Sequence, residues 1–144
     1  MVSAMIDVVG GIIVREDRLL LAQRPATKDF AYTWECPGGK VESGEGHTQA
    51  LVREIREELD LVAMVIDEKP FWRSEFKNDV SRTDRRHIEL FFYLVRQAVG
   101  AVIPREHQGF GWFRRHEVEA LRNAGALAPG NAKAHEAIVK AAFG

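Results

Sequence analysis

The chain has 144 residues, 20 basic and 21 acidic, with a net charge of −1. That length suits one domain, expected over residues 1–144, with a core large enough to need no staples. The charge balance removes any whole-molecule reason to expect a nucleic-acid polymer or an anionic membrane as partner, yet allows a small anionic ligand in a local pocket. Cys36 is the only cysteine, which excludes an internal disulfide and suits a reducing compartment. The opening MVSAMIDVVG lacks a secretory pattern, and no apolar run approaches the roughly 20 residues of a membrane span. A soluble cytoplasmic domain is the expectation.

VVGGIIV (residues 8–14) is a short β-branched run, RED a turn and RLLLAQR a second strand, together predicting a hairpin. PATKDFAYTW reads as loop. An apolar strand resumes over residues 61–66 and is expected to continue, with interruptions, to Trp72. Residues 74–86 carry charges of both signs and read as a solvated loop. HIELFFYLVRQA (residues 87–98) is too apolar for a solvent-facing edge and suits a central strand. Gly111-Trp112-Phe113 suggests a further short strand, residues 116–121 a short helix and residues 132–143 a terminal helix. Strands and helices mixed in this order indicate an α/β or α+β sandwich.

Residues 48–60 contain no proline or glycine and favour a helix. On it Val52, Ile55 and Leu59 make one apolar stripe, while Glu54, Glu57 and Glu58 follow i, i+3, i+4 spacing on another face. Three neighbouring carboxylates repel one another unless cations compensate. Arg53 can pair with Glu57 across one turn, with Arg56 nearby. Two readings stand at this point, a busy solvated face or a site for Mg²⁺, which favours oxygen ligands and bridges protein acids to phosphates. Upstream, Pro37-Gly38-Gly39 predicts a tight path whose backbone comes close to another group, with a carbonyl available to a metal.

Gly39, five residues, Glu45, seven residues, then Arg53-Glu54-Ile55-Arg56-Glu57-Glu58-Leu59-Asp60-Leu61 resembles the signature of the Nudix hydrolases, G-x5-E-x7-R-E-U-x-E-E-x-G-U with U a bulky aliphatic. Only Asp60 departs, standing where the family has glycine. The resemblance implies an α/β/α sandwich with a mixed β-sheet and a metal-binding loop-helix-loop. It implies that Glu54, Glu57 and Glu58 bind Mg²⁺, with Mn²⁺ as a substitute, that the carbonyl near Gly38 adds a ligand, and that Glu45 and Arg53 hold the loops to the helix. Water would then attack a phosphorus of a diphosphate linked to another group, with Glu57 the acid most involved. Asp60 loses the easy positive-φ helix ending, although aspartate tolerates it better than most residues. Gly46-His47 opens the helix without the usual threonine or serine cap.

WECPGGKVESGE further resembles the MutT type, which acts on nucleoside triphosphates. By that likeness Glu106 is expected to bind metal, Arg24 to meet phosphate, and Asn131 either to contact the base or to cap the final helix. Cys36 is expected beside the nucleotide as a small buried hydrophobe, and Phe76, Phe92 and Trp112 are candidates to stack on or enclose the base. Arg82, Arg85 and Arg86 are candidates to neutralise a triphosphate. The five histidines lack zinc spacing. The expected activity is Mg²⁺-dependent conversion of a nucleoside triphosphate to monophosphate and pyrophosphate, with 8-oxo-dGTP the leading substrate, in a monomer or homodimer. The alternatives are a hydrolase of CTP, nucleotide sugars, ADP-ribose or dinucleoside polyphosphates, an RNA 5′-end pyrophosphohydrolase, and a catalytically weak nucleotide-binding regulator.

Overall fold

Glu16 and Asp17, with φ of 50° and 60°, close a two-residue hairpin between strands β1 (Met5–Arg15) and β2 (Arg18–Gln23). Two successive positive φ values match the right-handed twist of the paired strands. The structure is a computed structural model and describes residues 5–77, 87–107 and 109–144. The remaining elements are β3 (Trp34–Glu35), β4 (Gly38–Lys40), α1 (His47–Leu59), β5 (Val62–Ile66), β6 (Trp72–Lys77), β7 (His87–Val99), β8 (Gly109–Phe113), α2 (Arg115–Asn123), α3 (Pro129–Lys133) and α4 (His135–Phe143).

β1 and β7 form the centre of a mixed sheet. They run parallel from Met5↔His87 to Ile13↔Val95, while β5 and β6 both pair antiparallel with β7. β4 lies antiparallel on β1 through Val9↔Gly39 and Gly10↔Gly38, and β8 lies antiparallel on β2. The two-residue period sends Val9 and Ile13 of β1, with Phe91, Tyr93 and Val95 of β7, to the face covered by Leu51, Ile55 and Leu59 of α1. Ile12 and Phe92 go to the opposite face, against Val118 of α2, Leu127 and Ile138 of α4. Helices on both faces give the expected α/β/α sandwich. Each fully buried Leu or Ile contributes about 1.5–3 kcal/mol relative to exposure. Among the described residues no helix is long and apolar enough to cross a membrane.

Three local expectations are corrected. The strand from residue 62 stops at Ile66, and β6 starts separately at Trp72; Pro70 between them has no N–H for a ladder. β6 then continues through residues 74–77, expected as loop, because pairing with β7 satisfies its backbone and Ser74 turns inward. The terminal helix is two helices broken at Ala134, with Pro129 opening α3 at its first position.

Helix α1 also differs in which side chains it buries. Val52 is 38% exposed, and Ala50 and Leu51 pack inward with Ile55 and Leu59 instead. Glu58, expected on a separate acidic face, is 6% exposed on the buried side. At the start, Gln49 Oε1 accepts from the Gly46 N–H at 3.2 Å. At the end, Asp60 takes φ 59°, the left-handed conformation that glycine adopts without strain.

Candidate active site

Arg53 joins the pieces of the loop-helix-loop. Its Nε donates to Glu45 Oε2 at 2.7 Å and its Nη2 to Glu45 Oε1 at 2.9 Å, a two-pronged pairing that only a guanidinium makes. Nη2 also donates to the Lys40 carbonyl at 3.0 Å, tying in β4. Nη1 reaches Glu54 at 3.0 Å and Glu57 at 3.2 Å. The Arg53 hydrogen bonds, with a further one from the Glu42 N–H, hold the Glu45 carboxyl down at about 2. The same partners push the Arg53 guanidinium up, so the pair stays charged.

The two glycines of β4 set the depth of the site. A β-carbon on Gly38 would fall 1.9 Å from the Val9 carbonyl oxygen, and one on Gly39 would fall 2.4 Å from Glu54 Cδ. Backbone and carboxylates therefore approach closely only because both positions lack side chains. The Gly38 N–H points at Glu58 Oε2 across 3.4 Å. Burial first, then the charges of Glu54 and Glu35, push the Glu58 carboxyl up to about 9. Burial also raises Glu54, opposed by Arg53. Both carboxyls face β4, Glu54 beside Gly39 and Glu58 toward the Gly38 N–H. Glu57 is half exposed and lies against Arg53.

A hard divalent cation fits this donor set. Glu54 and Glu58 offer carboxylate oxygens at the β4 glycines, and no cationic side chain pairs with Glu58 among the described residues. Among the described residues no three acidic, histidine or cysteine side chains are grouped closely enough to hold a metal by themselves.

Beside the acids lies a network that sequence reasoning missed. Glu35 accepts from Arg24 Nη1 at 2.9 Å through one oxygen and pairs with His107 Nε2 at 3.2 Å through the other. Burial alone would raise Glu35; the His107 hydrogen bond and the Arg24 charge outweigh it and lower the carboxyl. Arg24 Nε donates to the Asp29 carbonyl at 2.8 Å, so this candidate phosphate contact is held by protein groups. Glu106, next to His107, is exposed and makes no hydrogen bond or ion pair among the described residues.

Cys36 is buried, and desolvation first, then the Glu35 charge, push its thiol up, which leaves no nucleophile there. Its backbone N–H donates to Asn131 Oδ1 at 2.9 Å. Asn131 is 8% exposed within α3, so it does not cap α4, whose N-cap is Ala134. Phe92, 1% exposed, is sealed in the core and presents no ring to a base. Trp112 lies under Arg15, 5.3 Å from its guanidinium, on the hairpin side. Phe76 enters β6 opposite Ile88, and its side chain lies outside the described structure, as do Arg82, Arg85 and Arg86. His47 joins Asp7 and Tyr93, each at 2.8 Å, a bracket over the start of α1.

The NUDIX domain family model matches residues 5–138. The chain is 44% identical over 108 residues to the CTP pyrophosphohydrolase of Escherichia coli (strain K12), covering 75% of both chains. It is 37% identical over 130 residues to the 8-oxo-dGTP diphosphatase of Haemophilus influenzae, covering 90% of this chain and 88% of that one. The solution structure of the E. coli ORF135 protein superposes with a TM-score of 0.74 at 37% identity, covering 96% of this chain and 89% of that one.

Proposed function

This chain belongs to the NUDIX family of phosphoanhydride hydrolases, and from that footing we propose that residues 1–144 act as one domain converting a nucleoside triphosphate to monophosphate and pyrophosphate with Mg²⁺, or Mn²⁺ in its place. The observation that carries this reading is the convergence of Glu54 and buried Glu58 on the β4 glycines, with no cationic side chain pairing with Glu58 among the described residues. Burying such a pair costs stability and is sustained where a positive ligand completes it. Glu54, Glu57 and Glu58 would hold the cation with the Gly38 carbonyl, and Glu106 would join from the rim. The bound cation supplies charge neutralisation at the phosphates and polarises a phosphoryl oxygen.

In this reading the α–β phosphoanhydride bond breaks as a bond forms from water oxygen to phosphorus. The water proton passes to a glutamate, with half-exposed Glu57 the candidate base, and the electron pair of the broken bond leaves on the departing phosphate oxygen. Arg53 keeps Glu54 and Glu57 in register, and Arg24 meets the phosphates.

For the base, 8-oxo-dGTP is our leading substrate. The Cys36 N–H fixes Asn131 with its oxygen occupied, which commits the amide Nδ2–H₂ to donating. That donor suits an exocyclic carbonyl of oxidised guanine. CTP is the second reading, favoured by the 44% identity to a protein named for it, and cytosine also offers an exocyclic carbonyl. The test is hydrolysis by purified protein with Mg²⁺ of 8-oxo-dGTP, dGTP, CTP, nucleotide sugars, ADP-ribose and dinucleoside polyphosphates, with products identified. Preference for 8-oxo-dGTP with pyrophosphate release supports the proposal. Turnover confined to CTP transfers the assignment to the second reading, and no turnover of any triphosphate overturns both.

A further inference from the structure

We propose that His107 is a positioning residue for this hydrolysis, acting through Glu35, the carboxylate it shares with Arg24. The inference rests on the reading that Glu106 and the α1 acids take the cation.

The segment carrying Glu106 is fastened on both sides. On one side it lies across the end of α1, where the Ile103 N–H donates to the Leu59 carbonyl at 2.9 Å and the Arg105 N–H to the Glu58 carbonyl at 2.8 Å. These are last-turn carbonyls that a helix leaves without internal partners. Asp60, at the position where the family has glycine, adds its carboxylate, with Arg105 Nη2 at 3.6 Å and Arg56 Nε at 3.4 Å. On the other side His107, its side chain 6% exposed, reaches Glu35 on β3. Glu106 sits between these two fastenings, so its backbone has little room to shift.

Glu35 is where the two halves of the reaction meet. One oxygen holds Arg24, the candidate phosphate contact, and the other holds His107, the neighbour of a candidate cation ligand. The next residue, Cys36, fixes Asn131 through its N–H. The pairing also settles the imidazole: Nε2 must donate to the carboxylate, while Nδ1 is buried with no partner among the described residues. An orphaned buried nitrogen is a cost that an apolar side chain would avoid. A polar ring is therefore worth keeping there for what Nε2 holds, rather than for packing.

The test measures Mn²⁺ binding by electron paramagnetic resonance without nucleotide, together with kcat, nucleotide KM and thermal melting, for wild type, His107→Ala, His107→Gln and Glu35→Gln. Outer partners of metal ligands typically contribute about 10–100-fold in metal affinity. His107→Ala is expected to weaken Mn²⁺ binding about ten-fold and to need correspondingly more Mg²⁺ for half-maximal rate, with nucleotide KM changed less than about two-fold. His107→Gln, which keeps an N–H donor, should recover most of the loss. Glu35→Gln should weaken Mn²⁺ binding and also raise nucleotide KM, because Arg24 loses its anchor as well. Wild-type Mn²⁺ affinity in His107→Ala, or equal defects in the Ala and Gln variants, overturns the proposal. If His107→Ala fails to melt cooperatively, His107→Gln and Glu35→Gln decide: near-wild-type binding in the first with weakened binding in the second supports it, and any other pattern overturns it. A wild type that neither binds Mn²⁺ nor hydrolyses triphosphates with Mg²⁺ removes the underlying reading and this one together.

Discussion

A β-carbon placed on Gly39 would fall 2.4 Å from the carboxyl carbon of Glu54, so the strand and the acid fit together only while position 39 has no side chain. Gly39→Ala must push the carboxylate aside or lift β4 from β1. Overpacking of this kind costs about 1–3 kcal/mol. We expect a lower melting temperature and at least a ten-fold fall in Mg²⁺-dependent kcat, since about 1.4 kcal/mol of barrier is one decade. Parallel calorimetry and steady-state kinetics check it; full activity would show that Glu54 need not sit where it does.

Glu57→Gln separates chemistry from folding. The side chain is 52% exposed and its one strong partner is Arg53 at 3.2 Å, so the fold should tolerate the change. Turnover should drop by at least about 100-fold, the lower end of what a positioned acid or base contributes. The melting curve should stay near wild type. Retained kcat at saturating Mg²⁺ would remove Glu57 from the mechanism.

The Glu45–Arg53 pairing predicts an acid limit of its own. The folded-state carboxyl titrates near 2, below its ordinary value of 4.5, so its contribution is fully present above that ordinary value. It is lost as pH falls through the folded-state value. Wild type and Glu45→Gln should therefore differ most in melting temperature at neutral pH and converge toward pH 2. A constant difference from pH 7 to pH 2.5 would mean that the charge on Glu45 contributes nothing.

His135 predicts a second acid effect with the same direction and a different window. Burial first, then the Arg122 charge, lower its imidazole from the ordinary value of 6.5, while Glu119 and Glu136 oppose the shift. The folded state favours the neutral ring, so this contribution is complete above about pH 6.5 and declines as pH falls below it. Neither ring nitrogen has a hydrogen-bond partner among the described residues. His135→Leu should melt higher than wild type at pH 5 and depend less on pH between 7 and 5. An unchanged slope in the variant would show that His135 is not the titrating group.

The sequence made the frame legible because its signals were local. The β1–β2 hairpin, the apolar β7 and the acid spacing on α1 each follow from a periodicity within one segment. What it hid depended on partners far along the chain. Gly38-Gly39-Lys40 has no strand propensity, and pairing with β1 imposes the strand. Glu58 looks like a surface acid by helical angle, yet it is buried with its carboxyl toward the Gly38 N–H. Residues 74–77 look like loop by composition and become strand on meeting β7. Glu35 and His107 lie 72 positions apart, with nothing local to link them. Asp60 was legible as a departure; its grip on Arg105 was not.

The parallel register that joins Met5 to His87 also sets an order of assembly. All three α1 acids, both β4 glycines and Arg24 leave the ribosome before β7 exists. The apolar face of α1 has Phe91, Tyr93 and Val95 of that strand as much of its floor. Until β7 arrives, the helix lacks Phe91, Tyr93 and Val95 beneath it, and β1 lacks its parallel partner. Closing a loop of this length is slow, because its entropy is lost before the contacts it brings are gained. The sheet is therefore complete only late in folding, and a nascent chain stopped before residue 87 would carry nearly every candidate ligand while lacking the central strand of the sheet behind them.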